Sequence, residues 1–284
     1  MSETLVTGAS GTLGRALLPR LVDAGVAVRA ASRSPPDEEV EVDAQEWPES
    51  TEGSAEWVEL DLADGTGIES AVADVDTVVH AASAPTGDTE AVDVRGTERL
   101  LDVAASVGVE HVVYVSIVGI DEIPYAYYQH KLTAERAVES SDVPATILRA
   151  TQFHAFVDEI LGTVSRLPVW PLPTRFRVQP VDHREVADAL VDCATGEPRG
   201  RVPPVGGPEV RTLGELATAY REARGLRRPI VRLPVPGSIA SAFREGRATC
   251  PDRAVGTTTW EEWLASEYRD KSEPTAAPPA GAPS

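Results

Sequence analysis

The chain has 284 residues, a net charge of −19 at neutral pH and 42% hydrophobic residues, which suits one large domain or a domain with a small second lobe. The acidic balance argues against nucleic acid and anionic membranes as partners, since both bind basic surfaces. No apolar run approaches the roughly 18 residues that a membrane span needs. Residues 1–9 show no signal-peptide pattern, so we expect a cytoplasmic protein.

The first half of the chain predicts alternating strands and helices. The predicted strands are Thr4–Gly8, Val26–Ser32, Glu56–Leu62, Asp76–Ser83, Glu110–Gly119 and Pro144–Ala150. The predicted helices between them are Thr12–Gly25, Ile68–Asp74, Thr89–Val107 and Tyr127–Ser140. Short β-branched strands that alternate with longer helices are typical of a parallel sheet covered on both faces. We therefore predict an α/β fold with a Rossmann-type doubly wound parallel sheet over residues 1–150.

The second half has a looser pattern. It predicts three helices, Phe153–Ser165, His183–Ala194 and one capped by Thr212 that ends near Ala223. We interpret residues 151–271 as a smaller, partly interleaved lobe that selects the substrate. The low-complexity residues 272–284 predict a disordered tail, and the Pro- and acid-rich residues 34–54 predict an exposed loop.

Three glycines, Gly8, Gly11 and Gly14, form a GxxGxxG pattern at the first strand-to-helix turn. Glycines let the backbone turn tightly and approach a pyrophosphate, and the following helix N-terminus points free N–H groups at the phosphates. A plain tight turn would explain the glycines alone, but not their place between a strand and an amphipathic helix. The turn therefore predicts a dinucleotide site made by these glycines and by Ser10, Thr12 and Leu13.

The end of the second strand indicates which dinucleotide binds. NAD sites usually carry an acidic residue there for the ribose hydroxyls, whereas a 2′-phosphate requires a cation. This chain reads "VRAASRSP" and has no acid before Asp37, so Arg33 is the best candidate for the phosphate. Arg29 is a second candidate, and Arg33 could also be a solvated loop residue. We therefore expect NADP(H) to be preferred over NAD(H).

The order of these segments resembles the short-chain dehydrogenase/reductases. The segments "LVTGASGTLGRALLPRLVDAGVAVRAASR", "ELDLAD", "DTVVHAAS", "VDVRGTERLLDVA", "VVYVSIVG" and "YYQHKLTAE" occur in the family's order, and the glycine spacing is similar to that of its atypical, NmrA-like branch. The resemblance implies that Asp61 and Leu62 contact the adenine. It further implies cofactor contacts at Ala81, Ala82 and Ser83, and a catalytic set of Ser116, Tyr127 and Lys131.

The spacing of Tyr127 and Lys131 has a physical reason of its own. Residues four apart lie on one helix face, where an ammonium would lower the pKa of a neighbouring tyrosine from about 10. Lysine is also a compact donor for ribose hydroxyls, and only two of the 26 basic residues are lysines. Two alternatives remain: Tyr128 could face Lys131 instead, or Lys131 could bind ribose without any turnover.

The remaining candidates concern the substrate and metals. Gln152, Phe153 and His154 follow the sixth predicted strand, at the sheet edge where ligands bind, so they could line the substrate pocket. Packing at a helix start is the alternative. His80 lies in a buried-looking strand and is interpreted as structural. Neither the five histidines nor the two cysteines have metal-ligand spacing, so we predict no metal site.

Two functions fit these residues. The first is an NADP(H)-dependent oxidoreductase that acts on a carbonyl or quinone-like substrate, with proton donation by Tyr127. The second is a non-catalytic sensor of the nucleotide that reports to a protein partner, which would need the glycine turn and Lys131 but neither Tyr127 nor Ser116. The full Ser–Tyr–Lys set favours the enzyme.

Overall fold

The computed structural model describes residues 3–35 and 55–269. Its strands, in chain order, are β1 (Glu3–Thr7), β2 (Ala27–Ser32), β3 (Glu56–Glu59), β4 (Thr77–His80), β5 (His111–Ile117), β6 (Ala145–Ala150), β7 (Trp170–Leu172), β8 (Arg177–Val178), β9 (Gly200–Arg201), β10 (Arg211–Thr212) and β11 (Ile230–Arg232). Its α-helices are α1 (Thr12–Asp23), α2 (Ile68–Val72), α3 (Thr97–Val107), α4 (Ala126–Ser140), α5 (His154–Val164), α6 (His183–Ala194), α7 (Leu213–Ala223), α8 (Ser238–Glu245) and α9 (Trp260–Arg269).

Seven strands form one parallel sheet in the order β3-β2-β1-β4-β5-β6-β9. The chain order reverses between β1 and β4, so the crevice at the carboxyl ends of these two strands is the place where such folds bind ligands. The central strands β1, β4, β5 and β6 are mostly buried because both faces of the sheet are covered. The predicted Rossmann-type α/β fold is confirmed.

Each face of the sheet has its own hydrophobic core. On one face, α2, α3 and α4 pack against alternate residues of the strands, including Val78, Val112 and Tyr114. On the other face, α1 and α6 pack against the intervening residues, including Val79 and Val113. Because strand side chains alternate between faces, adjacent residues of β4 and β5 contribute to different cores.

The second half of the chain contributes to the sheet and also builds a lobe of its own. Its β9 pairs with β6 at the edge of the sheet, and α6 packs on α1. A separate core holds residues from α5, β7, α7 and α9, among them Trp170, Tyr220 and Trp263. The assignment of this lobe to substrate selection stays a prediction.

The lobe contains short strands that the sequence did not reveal. Its β7 pairs with β11, and β8 pairs with β10, all within or near a proline-rich segment. Proline removes a ladder donor, so Pro171 and Pro173 hide the strand pattern of β7. The predicted tail lies outside the described residues, as does all but the first two residues of the predicted loop. Among the helices that the structure describes, none has the length and apolar character needed to cross a membrane.

Candidate functional site

The glycine turn between β1 and α1 brings backbone segments into unusually close contact. Gly8 has a φ of +71°, and a Cβ built there would lie 2.8 Å from the backbone of Ala82. A Cβ on Gly14 would lie 2.3 Å from the carbonyl oxygen of Gly8. Only glycine fits at both positions, because the αL-type conformation and the close contact each oppose a side chain. The turn is thereby held close to the loop that follows β4.

The N-terminus of α1 is built to receive an anion. Gly11 is its N-cap and supplies no capping side chain, and Thr12 and Leu13 begin the helix. Uncapped N–H groups at a helix N-terminus, together with the helix dipole, favour phosphate. The side chain of Leu13 is buried in the core, so this residue can offer only its backbone. The turn therefore fits the pyrophosphate of a dinucleotide.

Two arginines flank the neighbouring end of β2. The hydroxyls of Ser10 and Ser32 lie 2.9 Å apart, and Arg15 donates from Nε to the carbonyl oxygen of Ser10 at 3.0 Å. Arg33 follows Ser32 and is exposed, with no hydrogen bond or ion pair among the described residues. Arg15 was not considered from the sequence, and its position beside Ser10 makes it a second cation at this edge.

Arg29, the second candidate for the 2′-phosphate, is occupied elsewhere. Its guanidinium pairs with Glu3 at 3.0 Å and donates to the carbonyl oxygens of Ala71 and Ala73 at 3.1 and 2.6 Å. These contacts join the middle of β2 to the end of α2. Arg29 therefore has a structural role. Its guanidinium is engaged by these partners, so Arg29 is not the ligand of the 2′-phosphate that the sequence allowed.

The residues predicted near the adenine and ribose follow the carboxyl ends of β3 and β4. Asp61 accepts a hydrogen bond from the Ala63 N–H at 2.8 Å, which shapes the turn after β3. Leu62 is buried against Gly96, so its side chain packs in the core. Ala82 approaches Gly8, and its N–H donates to the Thr7 hydroxyl at 3.3 Å. Ala81 packs against the core on the α1 side of the sheet. Cofactor contacts at these positions stay predictions.

A hydrogen-bonded chain of four side chains links Tyr127 to Lys131. The Tyr127 hydroxyl lies 2.8 Å from Ser83 Oγ, which donates to Asp93 Oδ1 at 2.6 Å. The same Asp93 oxygen lies 3.7 Å from Lys131 Nζ, and the other oxygen accepts from the Ala84 N–H at 3.1 Å. Tyr127 and Lys131 thus share a site without bonding to each other directly.

The direction of the hydrogen bonds in this chain follows from the donors available. A carboxylate only accepts, and a serine hydroxyl has one proton. Because Ser83 gives its proton to Asp93, the bond between Ser83 and Tyr127 must be donated by the tyrosine. Tyr127 is therefore a protonated phenol whose O–H points at the hydroxyl oxygen of Ser83.

Burial raises the pKa of Tyr127 above its ordinary value, and the nearby carboxylate of Asp93 raises it further. The tyrosine is consequently neutral at physiological pH. This corrects the expectation that Lys131 lowers the pKa of Tyr127, since the ammonium faces Asp93 instead of the phenol.

Lys131 lies almost wholly inside the protein, at 3% exposure. Its Nζ donates to the Val115 carbonyl oxygen at 3.0 Å and lies 4.3 Å from the centre of the Tyr114 ring. Burial lowers the pKa of Lys131, whereas Asp93 and Glu135 raise it. An ammonium has three donors, so one remains for a ligand after the contacts with Val115 and Asp93.

Ser116 does not lie beside Tyr127. Its Oγ donates to Glu135 Oε2 at 2.5 Å, and both side chains are buried. Glu135 lies eight residues after Tyr127 on α4, which corresponds to about 12 Å along a helix. Glu135 is also bound by Arg149 at 2.7 Å and by Arg201 at 2.6 Å. Ser116 therefore belongs to a buried ion-pair cluster, and its expected contact with the substrate oxygen is not supported by this geometry.

The alternative pairing of Tyr128 with Lys131 is also not formed. Tyr128 is buried beside Phe243, with ring centres 6.4 Å apart, and hydrogen bonds to Gln152. Burial raises the pKa of Tyr128 to about 12. Gln152 in turn donates to the Ala248 carbonyl oxygen at 3.2 Å. Of the three predicted substrate residues, Gln152 is the one that the structure places next to this pair of tyrosines.

Phe153 and His154 lie in other surroundings. Phe153 packs against the core on the α1 side of the sheet. His154 is buried, and its Nε2 lies 3.0 Å from the Thr258 carbonyl oxygen. Its ring stacks on Trp260 and Trp263, with ring centres 5.5 and 5.7 Å away. A carbonyl only accepts, so His154 Nε2 carries the proton. The alternative interpretation, packing at a helix start, describes both residues better than a substrate contact.

His80 connects the glycine turn to Asp93. Its Nδ1 bonds to the Thr7 hydroxyl at 2.7 Å and its Nε2 to the Thr97 hydroxyl at 2.9 Å, and Thr97 donates to the Asp93 carbonyl oxygen at 2.8 Å. Burial and, to a smaller extent, the charge of Lys131 lower the pKa of His80 to about 3. The imidazole is therefore neutral and holds the segment that carries Asp93.

Asp93 is the residue that the sequence analysis missed. It lies in the π-helical segment Glu90–Gly96, directly before α3, and is 1% exposed. Its position four residues before Thr97 continues the inward stripe of that helix, which also includes Leu100 and Ala104. An acidic residue on an inward helical stripe is rare without a partner, and this signal was available in the sequence.

Comparison with solved structures supports the fold. A UDP-glucose 4-epimerase from Thermotoga maritima has a TM-score of 0.70 at 16% identity, over 95% of this chain and 100% of that one. An NADPH-dependent quinone oxidoreductase from Escherichia coli, solved with NADPH, has a TM-score of 0.73 at 16% identity, over 93% of this chain and 99% of that one. At this identity the similarity shows the fold alone.

Related sequences extend the comparison. An uncharacterised protein of Mycobacterium tuberculosis is 30% identical over 232 residues, which are 81% of this chain but 24% of that protein, so this chain spans about a quarter of that relative. The (4-alkanoyl-5-oxo-2,5-dihydrofuran-3-yl)methyl phosphate reductase of Streptomyces griseus is 31% identical over 230 residues, which are 80% of this chain and 74% of the reductase. Residues 8–197 match the NAD(P)H-binding protein family. This match covers well over half of the chain, which therefore belongs to the NAD(P)H-binding family.

Proposed function

We propose that this protein is an NADP(H)-dependent oxidoreductase of the short-chain dehydrogenase/reductase type, in its NmrA-like branch, that reduces a carbonyl or quinone-like substrate. The observation that carries the proposal is the chain of contacts from Tyr127 through Ser83 and Asp93 to Lys131. A neutral phenol and a buried ammonium joined in this way support proton donation beside a bound nucleotide. The reductase among the related sequences supports hydride chemistry for this family.

The proposed reaction uses Tyr127 as the proton donor. A bound nicotinamide would supply the hydride for the carbonyl carbon. Tyr127 would give its phenol proton to the carbonyl oxygen, so that the product is the alcohol. Ser83 can then turn its hydroxyl from Asp93 to the new phenolate oxygen. Lys131 and the Ala84 N–H continue to hold Asp93 while the serine turns.

Three groups would hold the cofactor. The N–H groups at the start of α1 face the pyrophosphate, and the free donor of Lys131 binds a ribose hydroxyl. Arg33, with Arg15 beside Ser10, binds the 2′-phosphate and so favours NADP(H) over NAD(H). Gln152, which contacts Tyr128, is the remaining candidate for the substrate side.

The competing function is a nucleotide sensor without turnover. The observation that favours it is Ser116, whose hydroxyl is bound to Glu135 and not to the site of Tyr127. Such a sensor would bind NADPH as tightly as the proposed enzyme and would pass its state to a protein partner.

The test is NADPH oxidation with a panel of aldehydes and quinones, together with direct NADPH titration. We expect wild-type protein to turn over at least one substrate and Tyr127→Phe to bind NADPH normally while losing activity by about 10²- to 10⁴-fold. Tyr125→Phe is the matched control, because this neighbouring tyrosine is exposed and outside the hydrogen-bonded chain. Binding without turnover of any substrate would favour the sensor.

A further inference from the structure

A cavity lies in the C-terminal lobe, with a volume of about 340 Å³. Its wall consists of the segment after β7, the segment between β11 and α8, and one residue of α8. Three arginines line it: Arg175, Arg232 and Arg244. No aspartate or glutamate is among its lining residues, although acidic residues outnumber basic ones by 45 to 26 in the whole chain.

Some arginines in the described part of the chain are neutralised by carboxylates, and these three are not. Eight arginines pair with carboxylates there, namely Arg20, Arg29, Arg95, Arg149, Arg184, Arg201, Arg211 and Arg247. Within the same described ranges, Arg175, Arg232 and Arg244 form no ion pair; Arg244 donates to the Val235 carbonyl oxygen at 2.9 Å. Three unneutralised guanidinium groups repel one another, and an anion bound among them would offset that repulsion.

The rest of the wall is apolar and stiff. It includes Phe176, Leu233 and Val235, together with Pro173, Pro234 and Pro236. Proline fixes φ, so the segment between β11 and α8 loses little conformational freedom when a ligand binds. A cavity with a cationic side and an apolar side fits a ligand that has an anionic group on an apolar body.

The cavity is connected to the candidate catalytic tyrosine by a series of ring contacts. Phe176 of the wall stacks on Phe243 with ring centres 5.2 Å apart, and Phe243 lies 6.4 Å from Tyr128. The ring of Tyr128 lies 6.0 Å from that of Tyr127. In addition, Gly119 in the loop before α4 approaches the backbone of Arg247, where a Cβ would lie 2.3 Å from the carbonyl oxygen. The lobe that carries the cavity is thus packed directly against α4, which carries Tyr127, and against the loop before α4.

We infer that this cavity binds the phosphate monoester group of the substrate, with Arg175, Arg232 and Arg244 as its ligands. Guanidinium groups bind phosphate oxygens in pairs of parallel hydrogen bonds, which gives both affinity and orientation. The apolar wall takes the hydrocarbon part next to the phosphate, and the reacting carbonyl extends towards Tyr127. This inference rests on the proposed function for the identity of the bound molecule as a substrate.

The test measures binding without turnover, so that it can fail independently of the proposed activity. Hexyl phosphate and hexanol are titrated into the full-length protein by calorimetry. We expect hexyl phosphate to bind at least about tenfold more tightly than hexanol, with an affinity that falls at higher salt. Tyr127→Phe is expected to bind hexyl phosphate as the wild type does, even if it turns nothing over.

Single variants identify the ligands of the phosphate. Arg175→Gln and Arg232→Gln are each expected to weaken hexyl phosphate about tenfold and to leave hexanol unchanged. Both arginines are exposed and lack ion pairs in the described structure, so we expect both variants to fold as the wild type does. Arg136→Gln, an exposed arginine on α4, is the matched control and is expected to bind as the wild type does. Arg244 is less suitable because it also holds the Val235 carbonyl.

Three results would overturn the inference. One is equal binding of hexyl phosphate and hexanol to the wild type. Another is wild-type affinity in both Arg175→Gln and Arg232→Gln. The third is displacement of hexyl phosphate by saturating NADPH, since the probe would then occupy the nucleotide site. Unchanged affinity in the presence of NADPH supports a separate cavity.

Discussion

Lys131 and Asp93 form an ion pair inside the protein, with 3.7 Å between Nζ and Oδ1. Both side chains are almost completely excluded from water, and Asp93 also receives hydrogen bonds from Ser83 and the Ala84 N–H. The pair joins α4 to the π-helical segment before α3, so it fixes the position of Tyr127 relative to the loop after β4. The pair can therefore act in two ways, by positioning Tyr127 and by stabilising the fold.

The first prediction separates those two contributions. Lys131→Met leaves Asp93 buried without its counterion, which typically costs about 3–5 kcal/mol in the free energy of unfolding. The double variant Lys131→Met with Asp93→Asn removes both charges and should regain part of that loss. Urea unfolding measures the stability of both variants.

NADPH affinity gives the second readout for the same variants. We expect both to bind NADPH more weakly than the wild type, since each lacks the donor for the ribose. Equal NADPH affinity in the wild type and the double variant would contradict a ribose contact at Lys131, whatever the stability.

The sequence contained signals for Lys131 and for Asp93 separately, but it could not show that the two residues pair. Lys131 stood out by composition and by its spacing from Tyr127, both of which are local features of the chain. Asp93 lies 38 positions earlier on another element, and only the packing of α3 beside α4 brings the two together. The misplacement of Ser116 has the same origin, because its partner Glu135 also comes from α4.

The secondary structure shows a similar difference between local and tertiary features. Long elements could be predicted from the sequence, and short strands could not. Long strands and helices such as β5, α4 and α6 have a periodicity of their own and were predicted within a few residues. The two- and three-residue strands β7 to β11 have no periodicity, since tertiary pairing alone defines them. The arginine cavity is built beside β7 and β11, so it could not be predicted from the sequence.

The second prediction concerns cofactor preference. Arg33→Glu should weaken NADPH by about 10- to 100-fold, because a charge-assisted contact is replaced by repulsion of the 2′-phosphate. NADH lacks that phosphate and should bind nearly as before. Fluorescence titration with both nucleotides measures the two affinities, and Arg136→Gln serves as a control for a lost surface charge. An equal loss for NADH and NADPH would remove Arg33 from the 2′-phosphate site.

The third prediction is a pH dependence of stability that arises from His80. Its folded pKa of about 3 lies below the ordinary value of 6.5, so between these values the unfolded chain binds a proton that the folded protein does not. The stability is therefore complete above pH 6.5 and falls as the pH decreases, by about 2 kcal/mol at pH 5 from this residue.

The variant His80→Asn tests this assignment. It should be less stable than the wild type at pH 8, because the amide replaces the bonds to Thr7 and Thr97 imperfectly. Its stability should nevertheless fall less steeply between pH 7 and pH 5. Parallel slopes for the two proteins in urea unfolding would show that the acid sensitivity comes from other groups.

The fourth prediction compares the two serines. Ser83→Ala removes the acceptor of the Tyr127 proton and one donor to Asp93, so turnover should fall by about 10²-fold or more while NADPH still binds. Ser116→Ala removes a donor to Glu135, which keeps its bonds to Arg149 and Arg201. That variant should lose about 1–2 kcal/mol of stability and keep its turnover.

Measured side by side, kcat and the urea midpoint distinguish the two roles. Ser83→Ala should change kcat more than KM, because Ser83 positions the proton donor and does not hold the carbonyl. A large loss of kcat in Ser116→Ala, with normal turnover in Ser83→Ala, would restore the Ser116 assignment implied by the family resemblance. In that case α4 and the end of β5 would have to rearrange when nucleotide binds, since Ser116 faces Glu135, two helical turns from Tyr127.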